Sequence, residues 1–112
     1  MADFYAVRIT KQAQEQLREI IRYISVQLQV PETAFHLLDL LEEEISSLSQ
    51  FPNRFALTEE EPWHSLGIHK MPVKNYLVYF WIEEAAKTVH VTAIVYGRRD
   101  QVSVLSKMSL TN

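Results

Sequence analysis

Tyr76-Leu77-Val78-Tyr79-Phe80-Trp81-Ile82 is an unbroken run of seven apolar and aromatic residues. Side chains of a strand alternate between the two faces of its sheet. A run with no polar member therefore needs cover on both sides, and predicts a central strand buried on both faces. Its neighbours follow from the turn signals around it. Lys74-Asn75 reads as a tight reversal from a preceding strand, Ile68 to Val73, which Pro72 forces toward an edge or a bulge because proline has no ladder N–H. Glu83 to Lys87 reads as a five-residue hairpin loop. Thr88 to Tyr96 alternates, placing Val89, Val91, Ala93 and Val95 on one side, and Gly97 ends it.

The first half has the helical period instead. Residues 4–9, Phe-Tyr-Ala-Val-Arg-Ile, form a strand with Tyr5, Val7 and Ile9 on one face, and Thr10 offers an N-cap oxygen. Ala13, Leu17, Ile20, Ile21, Ile24 and Leu28 then recur at three and four residues, which predicts an amphipathic helix over about 11–28. Val30-Pro31 interrupts it. Ala34, Leu38, Leu41, Ile45 and Leu48 mark a second helix, stopped by Pro52, and the short link makes the two an antiparallel hairpin. Residues 53–66, with Glu59-Glu60-Glu61-Pro62, read as a loop. The order is β-α-α-β-β-β, an α+β fold in which a helix hairpin packs on one face of a mainly antiparallel four-stranded sheet. Tyr76, Tyr79, Phe80 and Trp81 could stack on bases, but are expected to fill the core under the helices. Nothing marks a repeat or an internal boundary, so residues 1–112 are read as one domain.

Composition narrows the function classes. With 47% hydrophobic residues the chain is expected to fold, and with no cysteine it has neither disulfides nor thiolate metal sites. The start, Met1-Ala2-Asp3-Phe4, does not resemble a secretory signal, and no apolar run spans a bilayer, so a soluble cytoplasmic protein is expected, with no membrane association. The net charge of −3 argues against a generic nucleic-acid binder. Its distribution is uneven: residues 1–61 carry five Lys/Arg against eleven Asp/Glu, residues 62–112 six against three. The two halves are expected to meet different partners.

Two segments of the positive half carry candidate chemistry. In Val95-Tyr96-Gly97-Arg98-Arg99-Asp100 a strand delivers two arginines just past a glycine. Guanidiniums there suit phosphate or a phosphoryl transition state; the plainer alternative is a solvated turn with one arginine paired to Asp100. The segment His64 to Tyr76 places His64, His69, Lys70 and Lys74 on or beside one strand pair. A histidine can act as general acid or base there, against the plainer reading of a wet strand face. His64, His69 and His90 lack the spacing of a zinc site, two glycines cannot build a phosphate-cradling loop, and no cofactor or metal is expected. The glutamate triplets 42–44 and 59–61 read as solvated surface.

Tyr5-x-Val7-x-Ile9-Thr10, Ala13 and Leu17, Ile21 to Ile24 and Phe51-Pro52 together resemble the RelE/ParE toxin family of type II toxin–antitoxin systems. The more specific part is Lys70-x-x-Val73-x-Asn75-Tyr76-Leu77-Val78-Tyr79 followed by Val91-x-x-Ile94-x-Tyr96-Gly97-Arg98-Arg99-Asp100. The likeness runs from about residue 4 to 100. It implies growth inhibition, roles such as plasmid stabilisation, and a cognate antitoxin that wraps the toxin; a homodimer is left open. It also implies a target, DNA gyrase or the ribosome. In mRNA-cleaving members the work is done by arginines on the central strands and usually a basic or aromatic residue, such as a tyrosine, near the C-terminus. Arg99 matches one arginine position, Pro72 stands at another, and Leu105 stands at the tyrosine position. The resemblance thus gives Arg99, Arg98 and His69 as candidate catalytic residues and Lys70, Lys74 and Tyr96 as candidate binding residues. With that set incomplete, the sequence looks closer to the gyrase-poisoning members, with the mRNA endonuclease and a degenerate, non-toxic member as the alternatives.

Overall fold

The computed structural model describes residues 4–112; Met1 to Asp3, on which the absence of a signal sequence was read, lie outside the described residues. Strand β1 (Ala6–Ile9) leads into helix α1 (Lys11–Arg22), helix α2 (Pro31–Ser46), strands β2 (His69–Val73), β3 (Tyr76–Glu83) and β4 (Thr88–Tyr96), and a short helix α3 (Gln101–Ser106). The sheet order is β1-β4-β3-β2, with β1 parallel to β4 and the other pairs antiparallel. The expected β-α-α-β-β-β order and mixed α+β sheet are therefore present, and β2 lies at the edge as Pro72 requires.

Local chemistry sets the elements. Thr10 caps α1, its hydroxyl accepting from the Ala13 N–H at 3.2 Å. After Arg22 the helix widens into a π turn, Tyr23–Gln27, with the Leu28 N–H reaching back to the Tyr23 carbonyl. The expected helical span holds to residue 27, but Leu28 is exposed rather than on the buried stripe. Pro31 opens α2, where a missing N–H costs nothing. Its buried side is Ala34, Leu41 and Ile45, followed by Leu48 in a 3-10 turn.

The two faces of β3 are both covered, by different elements. Val78 and Phe80 join Ala13, Leu41, Ile45, Leu48, Met71, Val73, Val89, Val91 and Ile94 beneath the helix hairpin. Leu77 and Tyr79 join Ile68, Ala93, Val95, Val104 and Leu105 on the opposite face, edged by Trp63, Trp81, Met108 and Leu110. Only part of the aromatic run thus fills the core under the helices: Phe80 does, while Tyr79 and Trp81 pack under α3 and the carboxy-terminal segment, neither of which was read from the sequence. The reason is the alternation itself, since consecutive residues of a strand cannot share a face.

The single-sided pattern for Val89, Val91, Ala93 and Val95 is also corrected. A β-bulge between Tyr79 and Phe80 pairs Tyr79 with Ala93 but Phe80 with Val91, leaving Thr92 as the extra residue. Val89 and Val91 face the helices; Ala93 and Val95 face α3. Thr92 is fully buried, and its hydroxyl donates to the Tyr79 carbonyl at 3.3 Å. Past the end of β1, the Ile94 N–H has no strand beside it and donates to Gln16 Oε1 of α1 at 2.9 Å, which locks the hairpin to the sheet. The hairpin loop is one residue shorter than expected, because Glu83 remains in β3, paired with Thr88.

Candidate functional site

The two arginines stand where β4 leaves the sheet. Tyr96 is paired with Tyr76 at the start of β3, so Gly97 lies against the β2–β3 turn, and its N–H donates to the Asn75 carbonyl at 2.8 Å. A Cβ at Gly97 would sit 3.1 Å from that same carbonyl oxygen, so a side chain there meets backbone and must displace it. The Arg99 N–H returns to the Tyr96 carbonyl at 3.1 Å, and the next residue begins α3. Asp100 is the N-cap, its Oδ1 accepting from the Val102 and Ser103 N–H groups at 3.1 and 3.3 Å. Its carboxylate serves the helix, not an arginine. Arg98 and Arg99 are exposed, and among the described residues neither side chain has a hydrogen-bond or ion-pair partner. An Asp100→Ala variant is expected to lose about 1 kcal/mol of stability in denaturant unfolding, the usual value of such a cap; an unchanged midpoint would show that the loop does not depend on it.

At the arginines' end of the sheet the structure brings two of the other candidate residues, Lys74 and Tyr96. Lys74 sits in the β2–β3 turn beside Asn75, with φ of 54°. Tyr96 meets Tyr76 edge to face, ring centroids 5.6 Å apart. Burial, then the neighbouring phenols of Tyr96 and Tyr23, push the Tyr76 hydroxyl above its ordinary value. Lys70 is paired with Tyr79, further along the strands, and connects to this end only through its side chain, whose Nζ lies 3.5 Å from Gln101 Oε1. Between this end of the sheet and the helix hairpin lies an apolar groove of about 700 Å³, with Ile20, Tyr23, Leu28 and Val30 on one wall, Ile94 and Tyr96 on the other, and Arg99 at the rim.

His69 is not brought to the arginines. It opens β2 opposite Phe80, whereas Val73, four residues on, is the β2 residue level with Tyr76. At the usual rise that is about 13 Å along the strand. Its ring stacks on Phe80 at 5.0 Å and its Nδ1 meets the Phe55 carbonyl at 2.8 Å. The other two histidines of the second half are equally occupied: His64 Nδ1 lies 2.9 Å from the Thr58 carbonyl, and His90 stacks on Trp81 with Nε2 2.8 Å from Glu83 Oε1. Among the described residues no three His, Asp or Glu side chains come together in metal-binding range, and no helix is long and apolar enough to cross a membrane. Pro72 is exposed on the edge strand, and Leu105 is 1% exposed in the core under α3. Sequence reasoning missed Gln101 and α3. The available signal was Asp100, an N-cap residue type, followed by Val102, Val104 and Leu105.

This arrangement of elements is that of known toxin structures. The chromosomal ParDE toxin–antitoxin system of P. aeruginosa contains a chain of TM-score 0.67 and 20% identity, matching 83% of this chain and 96% of that one. The toxin–antitoxin complex RelBE2 of Mycobacterium tuberculosis contains one of TM-score 0.61 and 20% identity, with 88% and 95% covered. A mutant of the E. coli toxin RelE in the free state gives TM-score 0.56 and 13% identity, with 90% and 92% covered. Among curated proteins, none matches the sequence significantly. The sequence model of the ParE toxin of the type II toxin–antitoxin system parDE matches residues 7–101. The chain belongs to that family.

Proposed function

We propose that this protein is a binding-type toxin of the cytosol, inhibiting DNA gyrase through the exposed Arg98–Arg99 loop and neutralised by a cognate antitoxin. The observation that carries the reading is the separation of His69 from the arginines, with its ring and Nδ1 already engaged. Cleavage of RNA needs a group to activate the 2′-hydroxyl, one to stabilise the phosphorane and one to protonate the leaving oxygen. The arginines can serve only the second need. Leu105 is buried, and Pro72 has no functional group. Each missing acid–base group costs on the order of 10² to 10⁴ in rate. A binding toxin needs only a fixed, unpaired cationic surface, and Arg98, Arg99 and Lys74 supply one. The antitoxin is acidic where it meets these residues and lays an apolar face into the groove beside Arg99.

The deciding experiment sets a gyrase supercoiling assay beside toeprinting of ribosome-bound mRNA, both with purified toxin. Inhibited supercoiling with intact mRNA is expected. Codon-specific mRNA cleavage with normal supercoiling would reverse the assignment in favour of an endonuclease.

A further inference from the structure

We propose that Gln101 is the positioning residue of the arginine loop, its carboxamide joining the buried Tyr79 hydroxyl and Lys70 to the Gly97 carbonyl from which the loop departs. The proposal rests on the reading of Arg98 and Arg99 as the target-binding element.

The geometry assigns each atom of the amide a task. Gln101 Oε1 accepts from the Tyr79 hydroxyl at 3.0 Å and lies 3.5 Å from Lys70 Nζ; Nε2 donates to the Gly97 carbonyl at 3.5 Å. Chemistry fixes that orientation. An ammonium has only donors and a backbone carbonyl only acceptors, so the oxygen must face Lys70 and the nitrogen Gly97. Tyr79 is the anchor, fully buried in the middle of β3. Burial first, and Glu60 second, push its hydroxyl up to about 12, so it stays a neutral donor across the working pH range. Gly97 is thus held from both sides, its N–H by Asn75 and its carbonyl by Gln101. Asp100 cannot replace this anchor because its carboxylate is spent on the α3 N-terminus. The first residue of a short surface helix has no need of such a connection. Its effect is to fix the direction in which Arg98 and Arg99 leave the sheet, which preserves affinity by lowering the ordering cost of binding.

Two variants separate this role from simple support of the fold. Gln101→Glu keeps the acceptor for Tyr79 and Lys70 but removes the donor to Gly97 and sets a negative charge beside its carbonyl. Gln101→Met keeps the length and removes every bond. Amide hydrogen exchange of Arg99, whose N–H is bonded to the Tyr96 carbonyl, and 15N relaxation of Arg98 and Arg99, measured on the free toxin, read the loop without any target. Gyrase supercoiling inhibition reads the consequence. Both variants are expected to speed exchange at the Arg99 amide and to raise the mobility of both arginines in relaxation, with global melting close to wild type for Gln101→Glu. Inhibition should weaken roughly three- to tenfold, the usual worth of one hydrogen bond. An Arg99 amide as protected as in wild type, with unchanged relaxation of both arginines, in both variants would overturn the proposal. So would a loosened loop with undiminished inhibition while the Arg98→Ala/Arg99→Ala protein is inactive. Full inhibition by that arginine variant would instead overturn the site reading, and the exchange data would still decide the role of the Gln101 link.

Discussion

An Arg98→Ala/Arg99→Ala double variant is expected to melt where the wild-type protein melts and to lose growth inhibition when expressed alone. Both side chains are exposed, and among the described residues neither is engaged in any bond that holds the fold. Surface changes of this kind shift stability by no more than about 0.5 kcal/mol. The functional cost is of a different size. Arginines at the centre of an interface commonly contribute about 2 kcal/mol each, so removing two weakens target binding by roughly 10² to 10³. The measurements are thermal unfolding and growth after induction at matched soluble expression, with and without the antitoxin. A large fall in melting temperature would make the arginines structural, and undiminished toxicity would remove them from the site.

The second large effect concerns the face of the sheet that α3 closes. Leu105→Ala is expected to destabilise the protein by about 2–5 kcal/mol, the range for a buried leucine that leaves a cavity. For a chain of this size that corresponds to a fall of roughly 8–20 °C in melting temperature. Leu105 packs with Ile68, Leu77, Tyr79, Ala93, Val95 and Val104, under a segment whose backbone is held by Trp81 Nε1 donating to the Leu110 carbonyl at 2.9 Å. A shift of less than about 3 °C would mean that α3 is not firmly docked. The same burial explains why Leu105→Tyr is not expected to install RNA cleavage. A phenol there would enter the core instead of reaching the arginines.

The elements themselves were legible in the sequence because they depend on local periodicity. The unbroken run from Tyr76 to Ile82 demanded cover on both faces, and Pro72 demanded an edge; both follow from strand geometry alone. Thr10 and the spacing from Ala13 to Ile24 likewise specify α1 without reference to any neighbour. What covers the second face of β3 was not legible, because α3 is six residues long and has too few turns to show a period. The bulge at Thr92 was hidden for a related reason. An extra residue reverses the face of everything beyond it, and no residue type announces where it falls. The site divides along the same line. The sequence by itself placed Arg98 and Arg99 at a strand end, since Gly97 closes an alternating segment. Only the tertiary structure decided that Lys74 and Tyr96 gather at that end, that Lys70 is tied to it only through Gln101, and that His69 is held about 13 Å away along the strand, because strand register, not sequence distance, sets which side chains meet.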